Sequence, residues 1–139
     1  PAHAAEAVTI NLINFNDFHG RIADKTTVQF AGTIERARAE YGDANSLLLS
    51  AGDNIGASLF ASATQADQPT IDVLNALEVE ASAVGNHEFD KGWPDLRDRV
   101  IAGGSNARWD YLGANVYKAG TSTPVLPEYA LYTVDGVTV

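Results

Sequence analysis

The chain has 139 residues, 45% hydrophobic and 19% charged, enough for one domain with a core of its own. Nine basic residues against eighteen acidic ones give a net charge of −9, which excludes the basic footprint of a nucleic-acid polymer binder. No apolar run approaches the length of a membrane span, and the absence of cysteine excludes both a disulfide framework and a thiolate metal site.

Residues 1–7 form a ragged N-terminus in which Ala2-His3-Ala4 has the small-x-small pattern of a signal-peptide end. With no methionine anywhere, the expectation is an N-terminal piece of a longer, exported protein, secreted, periplasmic or cell-wall associated. Residues 8–139 then alternate strand and helix patterns. Val8 to Phe15 alternates, is rich in β-branched residues and predicts a first strand, closed by the polar cluster Asn16-Asp17-Phe18-His19-Gly20. Phe30, Ile34, Ala37 and Tyr41 share a helical face, with Glu35, Arg36, Arg38 and Glu40 assigned to the outer side, and Gly42-Asp43 closes that helix.

Ser46 to Ser50, with three consecutive leucines, predicts a strand buried on both faces, ended by Gly52-Asp53-Asn54. A polar, small-residue loop with a short helical turn follows, and Pro69 is placed for the start of a helix carrying Ile71, Leu74 and Leu77. Ala81 to Val84 is a short strand running into Gly85-Asn86-His87-Glu88-Phe89-Asp90. Trp93, Leu96 and Val100 mark a third helix ended by Gly103-Gly104, and Tyr111 to Val116 a fourth strand. Tyr129 to Val139 predicts a hairpin around Asp135-Gly136. The whole is the pattern of an α/β fold with a parallel sheet built from βαβ units.

Ligand sites in open α/β sheets form at the carboxyl ends of the strands, where all three polar clusters fall. They supply carboxylates, imidazoles and an amide oxygen, the hard-to-borderline donors of a dinuclear metal site. Asp17 and His19 are two residues apart and can face one ion if the backbone leaves strand geometry, Asp53 supplies a carboxylate able to bridge two ions, and Asn86 a neutral oxygen. Singly, Asp17-Phe18-His19 is equally a turn in which Asp caps an amide, and Gly52-Asp53 is more often a plain loop. Gly85-Asn86-His87 has few structural uses, with Glu88 a solvated or hydrogen-bonding residue rather than a ligand, and His3 inert.

Asn16-Asp17-Phe18-His19-Gly20, Gly52-Asp53 and Gly85-Asn86-His87-Glu88-Phe89-Asp90, in that order, resemble the calcineurin-like metallophosphoesterases, and within them the bacterial 5′-nucleotidase and UDP-sugar hydrolase family. The resemblance spans about residues 8–139, including Gly113-Ala114-Asn115-Val116. It implies the N-terminal portion of an α/β/β/α sandwich. It also implies Asp17 and His19 on a first metal, Asp53 bridging both, Asn86 on the second, and His87 as catalytic histidine, oriented and kept charged by Asp90. The cofactors would be two divalent ions (Mn, Zn, Fe or Ca), about 3.5–4 Å apart in such sites, and the substrate a nucleoside 5′-phosphate, a UDP-sugar or a 2′,3′-cyclic nucleotide.

The family completes its site with downstream histidines, including a Gly-His-x-His element, whereas this sequence has only His3, His19 and His87. The chain is therefore expected to carry half of the metal shell, with weak metal binding and little or no turnover alone, and to need the missing C-terminal part of the same protein. Two other readings stand beside this one: a non-catalytic interaction module that kept the fold, and a fragment that self-associates through an exposed sheet edge.

Overall fold

The computed structural model describes residues 7–22 and 25–139. The small-x-small pattern at Ala2-His3-Ala4 lies outside the described residues. Four parallel strands, β1 (Asn11–Phe15), β2 (Ser46–Ser50), β3 (Ala81–Ala83) and β4 (Asp110–Leu112), form one sheet in the order β1-β2-β3-β4. A separate antiparallel pair, β5 (Thr133–Val134) and β6 (Val137–Thr138), is the hairpin expected around Asp135-Gly136, and both turn residues have positive φ as a tight two-residue turn requires. No helix among the described residues is long and apolar enough to cross a membrane.

The parallel strands are joined by helical crossovers: α1 (Lys25–Tyr41), then α2 (Phe60–Ala63) and α3 (Gln68–Ala76) with Pro69 in its first turn. The last, α4 (Trp93–Asp95), widens into a π-helical stretch over Leu96–Ile101 and stops where Ala102 and Gly103 turn left-handed. Side chains alternate across the sheet with period two. Ile13, Phe15, Leu48 and Tyr111 join the core with Ile34, Ile71, Leu74, Leu96 and Val100. Leu12, Leu47, Leu49, Ala81, Ala83 and Leu112 line a cavity of about 380 Å³ on the opposite face, together with Ala130, Tyr132 and Val139 from the C-terminal segment.

Two expectations need correcting. Arg38, assigned to the outer face of α1, is buried: its guanidinium donates to the Leu77 carbonyl (2.8 Å) and the Glu78 carbonyl (3.3 Å), and is paired with Glu35. Helical periodicity counts charge as outward, and it has no means of seeing carbonyls of a distant helix end that need a donor. The fourth strand is also shorter than Tyr111 to Val116. It ends at Leu112, because the Gly113 amide turns to the Pro127 carbonyl (2.9 Å) and the Val116 amide returns to the Gly113 carbonyl (3.1 Å).

Register places the polar clusters. Phe15 pairs with Ser50, and Ser50 with Ser82. β1, β2 and β3 therefore finish side by side, and the loops leaving them begin at one edge of the sheet.

Candidate metal centre

The loops after β1 and β2 run together as a short irregular ladder. The amides of Asp17, His19 and Gly20 donate to the carbonyls of Gly52, Asp53 and Asn54 at 3.0–3.1 Å. Such pairing takes both chains out of strand geometry: Asp17 (φ 53°), His19 (φ 46°) and Asp53 (φ 55°) are all left-handed, a conformation that costs a non-glycine residue energy and that clusters at functional sites. Its consequence is convergence. One ligand atom from each of Asp17, His19 and Asp53 lies within 4.8 Å of the others, and among the described residues this is the group of acidic and histidine side chains able to hold a metal ion.

Each side chain is held from behind. His19 Nδ1 donates to the Gly56 carbonyl at 2.8 Å; a carbonyl only accepts, so in the neutral ring Nε2 keeps its lone pair, on the side where Asp17 Oδ1 lies 3.7 Å away. Asn16 donates its side-chain amide to the other oxygen of Asp17. Asp53 Oδ1 accepts the His87 backbone N–H at 2.9 Å. The glycines make room for this: a Cβ on Gly85 would overlap the Asp53 carboxylate, and one on Gly52, whose φ is 104°, would come within 2.7 Å of the Gly85 nitrogen.

His87 stands next to this group, its ring centroid 5.0 Å from that of His19 and nearly perpendicular to it. Its Nδ1 lies 3.0 Å and 3.2 Å from the two Asp90 oxygens. The hydrogen bond to Asp90, helped by the charges of Asp90, Asp53 and Glu88, raises the His87 pKa, and the same contact holds Asp90 below the usual carboxylate range. Asn86 is exposed at the rim, immediately before the turn that carries His87. The structure thus brings Asp17, His19 and Asp53 together and pairs His87 with Asp90, while the Asn86 side chain, next to His87 in the chain, is not part of the converging group.

Three supports surround the group: Asn54 and Asp67, which had no expected role, and Glu88, expected to be a solvated or hydrogen-bonding residue rather than a ligand. Asn54 is fully buried, accepts from Ser50 Oγ and donates to Ser82 Oγ, both at 2.7 Å, and so ties the loop after β2 to β3. Asp67, also buried, accepts from Ser62 Oγ (2.7 Å) and from the amide of Gly56 (3.3 Å), the residue whose carbonyl orients His19. Glu88 is buried and accepts only backbone N–H groups. Asn54 and Glu88 left a signal by standing within polar clusters that follow strands; Asp67, and a carbonyl such as that of Gly56, left none.

One imidazole nitrogen and two carboxylates, partly exposed and oriented by outer hydrogen bonds, form a donor set that a divalent metal ion could occupy. No family model matches the chain. A protein encoded in the pqq-V 5′ region of Acinetobacter calcoaceticus, uncharacterized by its name, is 35% identical over 167 residues, 93% of this chain and 80% of that protein. The 2′,3′-cyclic-nucleotide 2′-phosphodiesterase/3′-nucleotidase of Haemophilus influenzae is 35% identical over 108 residues, 73% of this chain and 16% of that enzyme. Among solved structures, a 5′-nucleotidase precursor from Thermus thermophilus superposes with a TM-score of 0.72 at 23% identity over 93% of this chain and 27% of that one, a likeness of fold. The chain belongs to the 5′-nucleotidase family of calcineurin-like metallophosphoesterases. It spans 80% of the Acinetobacter protein, 16% of the Haemophilus enzyme and 27% of the Thermus 5′-nucleotidase precursor.

Proposed function

We propose that the protein to which this chain belongs hydrolyses nucleoside 5′-phosphates with two divalent metal ions, Mn, Zn, Fe or Ca, and that Asp17, His19, Asp53 and Asn86 supply this chain's share of their ligands. The observation that carries this reading is the convergence of Asp17, His19 and Asp53 beside the His87–Asp90 pair. Asp17 and His19 would hold one ion, Asp53 would bridge, and Asn86 would reach the second. When bound, the ions neutralise phosphoryl oxygens and make hydroxide available near neutral pH.

The chain's own residues do the rest. Asp90 favours the protonated His87 imidazole and fixes its ring through Nδ1; in that form Nε2–H is left to donate to a phosphoryl oxygen as negative charge develops there. Gly56 fixes the His19 ring so that its lone pair faces the cluster. Net charge is −9, so attraction of an anionic substrate has to be local, from bound cations and the His87 imidazolium.

The chain alone supplies part of a ligand shell, and the expected behaviour is weak Mn(II) uptake with little or no turnover. Metal analysis and Mn(II) EPR on the unaltered chain and on Asp53→Ala check this: uptake that disappears in the variant supports the site, and equal metal content in both overturns it. Vigorous release of adenosine from AMP by the chain would show that the shell is already sufficient. A 2′,3′-cyclic-nucleotide substrate is the second reading, favoured by the similarity to the Haemophilus enzyme; a direct comparison of phosphate release from AMP and from 2′,3′-cyclic AMP by the whole protein separates the two.

A further inference from the structure

Glu88 is 3% exposed, yet no lysine or arginine pairs with it among the described residues. An unpaired buried carboxylate is expensive, and its cost has to be met by hydrogen bonds. Glu88 meets it with main-chain donors from two different loops. Oε1 accepts the Asn54 N–H at 2.8 Å; Oε2 accepts the Asp53 N–H at 3.0 Å and the Gly85 N–H at 2.6 Å. Burial raises its pKa and the three N–H groups oppose that rise.

The choice of donors is informative. Asp53 is itself a member of the convergent group, Asn54 follows it, and Gly85 precedes Asn86. The preceding residue, His87, donates its own N–H to Asp53 Oδ1 at 2.9 Å. Two consecutive residues of one turn therefore grip Asp53 from both ends: Glu88 takes its main chain, held at the unfavourable φ of 55°, and the His87 amide takes its carboxylate. The same Glu88 oxygen binds the amide just before Asn86, so the loops after β2 and β3 are stitched at the point where each would present a ligand.

We propose that Glu88 is a positioning residue of the metal centre: without touching an ion, it fixes the Asp53 carboxylate and the Asn86 amide relative to one another. This rests on the metal-centre reading above. Outer partners of metal ligands are typically worth about 10–100-fold in metal affinity. Glutamine has nearly the shape of glutamate but one acceptor oxygen. Its amide nitrogen must therefore face either the Asn54 N–H or the Asp53 and Gly85 N–H groups. Alanine accepts from none.

The test titrates the 139-residue chain with Mn(II), reading free ion by EPR, and follows folding by circular dichroism in the same samples. The expected result is an affinity about 10-fold lower for Glu88→Gln and about 100-fold lower for Glu88→Ala. Leu74→Ala, a core truncation within α3 that removes no hydrogen bond of Glu88, should keep the affinity of the unaltered chain. Glu88→Gln binding as tightly as the unaltered chain overturns the proposal, and so does an equal loss in Leu74→Ala, which would make the effect one of stability. No uptake by the unaltered chain overturns the metal-centre reading instead. Should the Glu88 variants fail to fold, the unaltered chain decides by NMR. On titration with Zn(II), the amide protons of Asp53, Asn54 and Gly85 should shift with the same midpoint as the His19 ring; amides that stay in place at saturation overturn the proposal.

Discussion

The two ends of the parallel sheet are both rich in acids, and only one of them resembles a site. At the carboxyl ends, Asp17, His19 and Asp53 turn ligand atoms toward one point. Around the start of β3 and β4, Glu78, Glu80 and Asp110 line a cavity of about 510 Å³ together with Arg108 and Tyr132. Left-handed backbone does not separate the two, since Glu78 has φ 56° just as Asp53 has 55°. Hydrogen bonding does not separate them either: Glu80 Oε2 accepts the Leu48 N–H and Asp110 Oδ2 the Tyr132 hydroxyl, both at 2.6 Å, just as Asp53 Oδ1 accepts the His87 N–H. The difference is that one ligand atom from each of Asp17, His19 and Asp53 lies within 4.8 Å of the others, whereas Glu78, Glu80 and Asp110 form no such group among the described residues. Convergence, more than charge or strain, marks the end proposed as the site.

The comparison breaks most decisively at Gly85. In Gly85→Ala the new Cβ collides with the Asp53 carboxylate and backbone, so Mn(II) uptake should vanish, and urea unfolding should show a loss of about 1–3 kcal/mol, typical of overpacking. The next effect is electrostatic. Because the Asp90 contact raises the His87 pKa above its ordinary 6.5, this contribution to stability is fully present below pH 6.5 and is lost as pH rises through the folded value. Asp90, lowered from 3.8, contributes above that pH and loses its contribution as pH falls through its depressed value. The pair therefore stabilises most between the two ordinary values. An NMR titration of the His87 ring in the metal-free chain should give a midpoint above 6.5, returning toward 6.5 in Asp90→Asn. The smallest effect belongs to the opposite end: Tyr132→Phe removes bonds to Asp110 and the Glu80 carbonyl, which should cost about 0.5–1.5 kcal/mol in urea unfolding and leave Mn(II) uptake unchanged.

Much of this molecule was legible in the chain because its signals are local. The triple leucine of β2, the Ile71–Leu74–Leu77 stripe and the Asp135-Gly136 turn each report a short-range preference, and each appears as expected. The polar clusters were legible as candidates for the same reason: their residue types and their places after strands are sequence facts. Arg38 and the early end of β4 were not legible, because both are decided by carbonyls of residues far along the chain, Leu77 and Glu78 in one case and Pro127 in the other.

What the sequence determined by itself, then, was the alternation of strands and helices and the identity of the side chains proposed to bind a metal and stabilise a phosphoryl group. Only the tertiary structure decided that β1, β2 and β3 are neighbours in register, that Asp17, His19 and Asp53 meet, and that of the two expectations for Glu88, solvated or hydrogen-bonding, the second holds, in a buried position. The physical reason is that strand order and loop-to-loop hydrogen bonds are set by the free energy of the whole packed domain. A pattern read along one segment carries the chemistry of its side chains, but not the partners that the other segments bring to them.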